Sequence, residues 1–382
     1  MRIGPSAAAA ALAILGATAS GAPRVMERLD RGVVAVKVPD GVYVGWRLLA
    51  TDPDDVAFDV LRERDGVAGA VNAKPLASST NLVDPDGRAG DRYRVRPVVA
   101  GTPAPPSGPA VVWPQAYLEI PLDIPASGKT PDGGAFTYSA NDASVGDLDG
   151  DSRYEIVLAW TPSDSKDNAQ DGHTGPTILD ALGLDGTRRW RIHLGPNIRS
   201  GAHYLPFTVY DFDGDGRAEV ACRTADGTVD GTGRPIGDPG ARHVDAKGRI
   251  LRGPEYLSVF DGRTGAALAT VPYEPARGNV ADWGDDYGNR CDRFLACAAY
   301  LDGRSPSLVT CRGYYTGKGG GRNALVAWNF RDGKLTPLWT FVATATVNPR
   351  YLGQGAHSGA AGDVDGDGRD EIVYGAMAID DD

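Results

Sequence analysis

The sequence predicts an all-β protein in two parts, and three observations predict it. Short apolar, β-branched runs are separated along the chain by Pro-Asp-Gly, Asp-Pro-Asp and Asp-Gly turn signals. Fifty-one glycines and 27 prolines among 382 residues mark many short strands joined by turns. An acidic loop recurs three times in one register, and each copy opens a strand.

Taken in order, residues 1–22 hold one early arginine, an apolar Ala/Leu/Ile stretch from Ala7 to Ala17, and small residues around Ala17-Thr-Ala19. That is the pattern of a secretory signal peptide, although a buried alanine-rich helix would read similarly. The apolar stretch is too short to anchor in a bilayer, and no later stretch approaches the ~20 apolar residues that a spanning helix needs. The expectation is a secreted, extracellular protein with no membrane partner. Residues 23–101 carry β-rich runs at Gly32–Val38, Val42–Leu49, Phe58–Glu63 and Asp91–Val99, several of them alternating. With few strands and no helical period, a small fibronectin-like β-sandwich is the economical prediction. Residues 102–116 are proline-rich and read as a linker.

From residue 117 onward the acidic loops set the frame. They are Asp147-Leu-Asp149-Gly-Asp151-Ser-Arg153-Tyr-Glu155, Asp211-Phe-Asp213-Gly-Asp215-Gly-Arg217-Ala-Glu219 and Asp363-Val-Asp365-Gly-Asp367-Gly-Arg369-Asp-Glu371. Three carboxylates at alternate positions, a turn glycine, the main-chain carbonyl at position seven and a fourth carboxylate after the turn can surround one hard cation. Calcium, in several copies, is the natural occupant, since magnesium demands a stricter octahedron and zinc would want His or Cys. A solvated Asp-Gly turn accounts for one such loop more easily than for three in register. The last ligand falls at position nine and a strand follows, as in Ile156–Leu158, Val220–Cys222 and Ile372–Tyr374, which excludes an EF-hand. The long gap between the second and third loops leaves room for a further unit, with Leu301-Asp302-Gly303 as its degraded loop.

Asp-Gly hairpins alternate with these loops, before Arg188–Leu194, Leu268–Val271 and Leu338–Val342. Strand, acidic loop, strand, hairpin, strand is the content of one propeller blade. Residues 117–382 therefore read as a partial, calcium-rich β-propeller, with three blades and the first strand of a fourth before the sequence stops at Asp380-Asp-Asp382. On that reading Ile372, Val373 and Tyr374 lie on an open edge, and the chain is the N-terminal part of a longer protein. The net charge of -11 argues against a nucleic-acid partner. The four cysteines, Cys222, Cys291, Cys297 and Cys311, leave pairing open: Cys291 and Cys297 are near enough to bridge, while Cys222 and Cys311 read equally as buried thiols.

Seven stretches carry a resemblance: Met26–Val34, Asn141–Gly150, Pro162–Asn168, Gly201-Ala-His203-Tyr204, Tyr210–Gly216, Thr224–Gly231 and Asp292-Arg-Phe-Leu-Ala296. They resemble the rhamnogalacturonan lyases of polysaccharide lyase family 11. The resemblance runs over nearly the whole chain after residue 22. It implies an eight-bladed, calcium-rich propeller behind a small β-sandwich, only about half of it present here, acting on the acidic pectin backbone rhamnogalacturonan I. Asn141 resembles a family substrate contact, and His203 and Arg350 are further candidate substrate contacts; His357, which the resemblance places in the central cavity near calcium, is a candidate metal contact, although a histidine there reads equally as a hydrogen-bonded core residue. Thr161 stands where the family leads one to expect an aspartate, Ser152 stands for a loop glycine, and Lys318-Gly-Gly-Gly-Arg322 interrupts the pattern near Tyr315. No residue here matches the family's basic catalytic side chains, which places them beyond Asp382 and implies little activity for this chain alone. Arg199, His203, Arg223 and Arg350, taken singly, read as structural rather than catalytic.

The implied chemistry is β-elimination. The uronate carboxylate is neutralised, a base takes the C5 proton and the 4-oxygen leaves without water, with calcium as the Lewis acid. A non-catalytic calcium-binding propeller for adhesion or carbohydrate binding is the alternative, because the acidic loops alone serve both.

Overall fold

The computed structural model describes residues 24–316 and 320–380. The expected signal peptide, residue 317, residues 318 and 319 of the glycine-rich insertion, and residues 381–382 lie outside them. The described chain is all-β apart from two single 3-10 turns, and no helix in it is long and apolar enough to cross a membrane.

The N-terminal unit is one curled sheet. Its strands run in the order Val67–Ala70, Ala57–Arg64, Arg92–Val99, Ala110–Trp113, Val34–Val38, Gly41–Gly45, Asn81–Asp84. Alternation builds it: Val42 and Val44 turn inward to meet Phe58, Val60, Tyr93 and Val95, while Tyr43 faces out. Gly41 has φ 136°, and a Cβ there would sit 2.1 Å from the Asp84 carbonyl oxygen, so the hairpin admits only glycine. The proline-rich stretch is not a spacer. Thr102–Pro103 pairs with Arg92–Val99, and Ala110–Trp113 joins the two halves of the sheet, antiparallel to Arg92–Val99 and parallel to Val34–Val38. Proline lacks a ladder donor but does not forbid edges and strand starts, so composition alone misplaced this boundary.

A two-stranded ribbon of Gly128–Lys129 and Ala135–Phe136 comes next, and four larger antiparallel sheets follow. Three have four successive strands each: Tyr138–Gly146 to Arg188–His193, Phe207–Tyr210 to Ala267–Pro272, and Phe294–Ala299 to Lys334–Ala343. The first is widened by Thr228–Val229 and Pro235–Ile236, which belong to a long excursion of the second. The fourth holds Gly359–Gly362, Glu371–Tyr374 and Met377–Ile379, two strands more than the sequence reading allowed. Ile372 and Tyr374 are not on an open edge: both are fully buried against Leu325, Ala327 and Tyr314 of the third sheet, and only Val373 is exposed. Apolar layers lie between consecutive sheets, Trp190 and Ile192 meeting Val220 and Phe260, then Leu257 and Tyr273 meeting Trp328 and Phe330. The first strands of successive sheets lie side by side.

The four cysteines are unpaired, and burial pushes the Cys222 and Cys291 thiols up to about 12. The segment ahead of the first strand crosses the loop ends of all four sheets. Arg24 pairs with Asp370 at 2.8 Å, Val25 N–H donates to Arg304 O, Glu27 Oε1 accepts from Asp147 N–H at 2.9 Å, and Asp30 N–H donates to Ser152 O. This end of the stack is covered, and the other end of the first strands is left for a site.

Candidate metal centres and the histidine face

In each acidic loop the first aspartate organises the turn. Asp211 Oδ1 accepts from Gly214 N–H at 2.8 Å and Oδ2 from Gly216 N–H at 3.0 Å; Asp147 and Asp363 do the same in their loops. The closing glutamate bonds back to the residue after that aspartate, as in Phe212 N–H to Glu219 Oε2 at 2.8 Å. Both tie the ends of the loop so that carboxylates at positions one, three and nine converge. Asp147, Asp149 and Glu155 form one such group, Asp211, Asp213 and Glu219 the second, and Asp363, Asp365 and Glu371 the third, each with its oxygens within 4.8 Å of one another.

Position five does not join them. Asp151, Asp215 and Asp367 turn to position seven, accepting from the backbone N–H of Arg153, Arg217 and Arg369, and Asp151 also pairs with the Arg153 guanidinium. An exposed carboxylate with an arginine two residues on takes the nearer partner. Ser152 sits at φ 73°, a left-handed position that costs a non-glycine residue about 1 kcal/mol. The degraded loop of the third sheet keeps only Asp302, which caps Arg304 and Ser305 N–H.

The three groups differ in how their charge is met. In the first, Arg189 donates to Asp149 at 2.5 Å and to Glu155 at 2.8 Å, supplying a positive charge from the protein. In the second, no ion pair reaches Asp211, Asp213 or Glu219 among the described residues: burial, then Asp213, pushes Glu219 up to about 9, and burial outweighs the nearby Arg217 and Arg331 to raise Asp213, while Asp211 is raised too. In the third, Glu371 is 5% exposed and its Oε1 is buried with no hydrogen-bond partner. A buried carboxylate oxygen without a donor is costly unless a cation meets it. All-oxygen donors suit a hard divalent ion, so the second and third groups fit calcium, while in the first Arg189 offsets part of the charge and burial still raises Glu155. Glu27, wedged beside Asp147 and near Asp211, is pushed to about 7 by burial.

His357 joins none of these groups. The Gly355-Ala-His357 turn packs on Tyr314 so closely that a Cβ on Gly355 would come within 2.6 Å of the Tyr314 Cβ. That brings His357 to His203, with rings 5.3 Å apart, and sets the Tyr314 hydroxyl 3.2 Å from His203 Nδ1 and 3.4 Å from His357 Nδ1. His203 Nε2 faces Asp167 Oδ2 at 3.5 Å, and Arg293 reaches the same oxygen at 3.2 Å. Burial, then the charge of Arg293, lowers the pKa of His203. Tyr315 and Arg290 border this cluster. These groups come from segments beside the starts of the first strands, opposite the acidic loops.

Of the expected substrate contacts, only His203 lies in this cluster. Asn141 is exposed in a bulge of Tyr138–Gly146, between Ala140 and Ala143, and Arg350 is exposed on the turn Pro349–Tyr351, stacked on Tyr351. Arg199 is buried and spends its donors on backbone carbonyls, including those of Gly172 and Gln170, and Arg223 pairs with Glu255. Tyr314, Asp167, Arg293 and Arg189 went unassigned in the sequence. Asp167 and Arg293 stood inside stretches that carried the resemblance, and Tyr314 and Arg189 had no local signal.

Two family models match: rhamnogalacturonan lyase family 11, C-terminal domain, over residues 117–382, and the β-sheet domain of rhamnogalacturonan I lyases over residues 24–113. The chain belongs to rhamnogalacturonan lyase family 11. It is 57% identical over 364 residues to the rhamnogalacturonan endolyase YesW of Bacillus subtilis (strain 168), covering 95% of this chain and 57% of that protein. It is 55% identical over 359 residues to the rhamnogalacturonan exolyase YesX of the same organism, covering 94% and 57%. The solved structure of Bacillus licheniformis rhamnogalacturonan lyase PL11 superposes with a TM-score of 0.87 at 58% identity, covering 94% of this chain and 60% of that one. The chain thus spans somewhat more than half the length of the family members it matches.

Proposed function

We propose that this family 11 chain works as part of a pectin-degrading lyase that cleaves the rhamnose-(1,4)-galacturonate bond of rhamnogalacturonan I by calcium-assisted β-elimination. The four stacked sheets are then blades of a propeller, and the protein acts after export, in keeping with the pattern of residues 1–22. The observation that carries the reading is the 57% identity over 364 residues, a span that extends far beyond the acidic loops. A generic adhesion propeller would share only the loops.

Bound calcium would neutralise the loop carboxylates and, at an open site, polarise the uronate carboxylate. Asp211, Asp213 and Glu219, and Asp363, Asp365 and Glu371, would hold the structural ions. His203 and His357 present nitrogens at the uncovered end, and Arg293, Arg290 and Tyr315 flank them with positive charge and an aromatic face suited to an acidic sugar. Asn141 and Arg350 would meet the chain farther from that cluster.

The test is to supply the protein with calcium and rhamnogalacturonan I and follow ultraviolet absorbance of the unsaturated uronate product. Absorbance that rises with calcium and falls in His357→Ala supports the reading. Tight binding of the polysaccharide with no unsaturated product would favour the non-catalytic binding module.

A further inference from the structure

Four polar groups stand in line at the histidine face: Asp167, His203, Tyr314 and His357. Their separations are 3.5 Å from Asp167 Oδ2 to His203 Nε2, 3.2 Å from His203 Nδ1 to the Tyr314 hydroxyl, and 3.4 Å from that hydroxyl to His357 Nδ1. We propose that this line is a tautomer relay, in which Asp167 and the Tyr314 hydroxyl hold His357 as the Nδ1–H form and leave its Nε2 as a lone-pair acceptor facing substrate. Tyr314 and Asp167 are positioning residues. The inference deepens the lyase reading above and rests on it only for what His357 meets.

Proton counting sets the direction. An ionised carboxylate offers only acceptors, so Asp167 Oδ2, at 3.5 Å from His203 Nε2, favours the His203 proton on Nε2. A neutral imidazole then has a bare Nδ1, and the nearest donor to it is the Tyr314 O–H. The phenol has one proton, and with it given to His203 the Tyr314 oxygen can only accept. His357 must therefore present Nδ1–H to it, and its Nε2 is left bare. Arg293, paired with Asp167 at 3.2 Å, keeps a positive charge beside that carboxylate. The other Asp167 oxygen accepts Ala169 N–H at 3.0 Å, which fixes the carboxylate.

Packing holds the line rigid. Tyr314 is 1% exposed, its ring in edge contact with Tyr315 at 4.8 Å and with Tyr374 at 6.5 Å. The hydroxyl cannot swing to water, and Gly355 lets the His357 turn come close enough to meet it. His357 is exposed, and no hydrogen bond engages its Nε2 among the described residues. This is the arrangement by which an outer carboxylate usually orients a functional histidine, lengthened by one histidine and one phenol.

The experiment labels histidine with nitrogen-15 in the calcium-loaded protein and reads the tautomers by long-range nitrogen–proton correlation at pH 8, above the ordinary histidine range. The expected result is Nε2–H at His203 and Nδ1–H at His357. In Tyr314→Phe, which keeps the ring and loses only the hydroxyl, the His357 signals move toward Nε2–H. Asp167→Ala produces the same movement through His203, and Asp167→Asn, which retains an acceptor, largely restores the original pattern. With rhamnogalacturonan as substrate, kcat/KM falls about tenfold in Tyr314→Phe and Asp167→Ala, the usual scale for losing an outer-shell partner, and recovers in Asp167→Asn. Nε2–H at His357 in the unaltered protein, or unchanged tautomers in Tyr314→Phe, would overturn the relay. Shifted tautomers with unchanged kcat/KM would overturn its positioning role. The expected tautomers in a protein that forms no unsaturated product would leave the relay standing and defeat the lyase reading instead.

Discussion

Charge is buried at many places in this fold, and at two kinds of them the protein meets it in opposite ways. At Glu255, one buried carboxylate stands among three arginines: Arg223 at 2.9 Å, Arg277 at 2.7 Å and Arg312 at 2.8 Å. Arg312 is completely buried and also bonds the Cys291 carbonyl. Here the chain supplies both signs of charge, and the pull of the arginines holds Glu255 well below the usual carboxylate range despite its burial. In the acidic loops of the second and fourth sheets the converging carboxylates lack such a cage: burial and Asp213 push Glu219 up to about 9, and Glu371 Oε1 has no hydrogen-bond partner among the described residues. The loop of the first sheet lies between, its carboxylates answered by Arg189. Buried charge that the protein balances itself is structural. Buried charge left unbalanced is what a site for an external ion looks like.

The largest expected effect is at the self-balanced place. Glu255→Gln leaves buried arginines unpaired and should lower unfolding free energy by about 3–5 kcal/mol, read by denaturant titration. The loss should be the same with calcium or with chelator; a calcium-dependent loss would break the contrast.

Chelation acts on the other place. Removing calcium should lower the thermal midpoint, by an amount corresponding to about 2.7 kcal/mol if the ion stood at 100 times its dissociation constant. Asp213→Ala should remove much of that shift, whereas Asp65→Ala, in an exposed hairpin turn at φ 52°, should leave it intact. A midpoint indifferent to chelator would make the loops mere solvated turns.

The two places should also respond to pH with opposite sign. Glu255 is lower in the folded than in the unfolded protein, so its stabilisation is present above the unfolded value of 4.5 and is lost as pH falls below it. Glu219 without a cation is raised from 4.5 to about 9, so the folded state holds a proton that the unfolded state has released. Chelated protein should therefore lose stability as pH rises through that window, and calcium should flatten the slope. Thermal melts across pH with and without chelator measure both.

The smallest effect concerns the intermediate loop. Arg189→Ala removes a partly exposed pair and should change stability by no more than about 1 kcal/mol. It should also add calcium binding at the first loop, visible as extra stoichiometry in calorimetric titration; an unchanged stoichiometry would mean that Arg189 and an ion do not compete there.

Much of this was legible locally. Each acidic loop is a short segment whose glycine, first aspartate and closing glutamate interact within nine residues, so Asp211 with Gly214 and Gly216 could be read without the fold. The same locality misled at position five, where Asp215 and Arg217 are even closer neighbours and pair with each other. Arg189 reaches Asp149 from another strand, and the proline-rich stretch finds its partners in Arg92–Val99 and Val34–Val38; neither leaves a trace in sequence spacing. Of the candidate substrate contacts Asn141, His203 and Arg350, only His203 stands at the histidine cluster.

The sequence by itself determined the all-β class, the register of the acidic loops and the alternation of loop and hairpin, because strand period, turn chemistry and carboxylate spacing act over a few residues. Tertiary structure decided which loop lacks a cation, which edge is covered and which histidine faces which partner. His203, Tyr314 and His357 come from three separate segments, and Ile372 and Tyr374 are buried only because the third sheet stacks on the fourth. Contacts of that kind arise when apolar faces close on one another, and hydrophobic burial is set by the area covered rather than by distance along the chain.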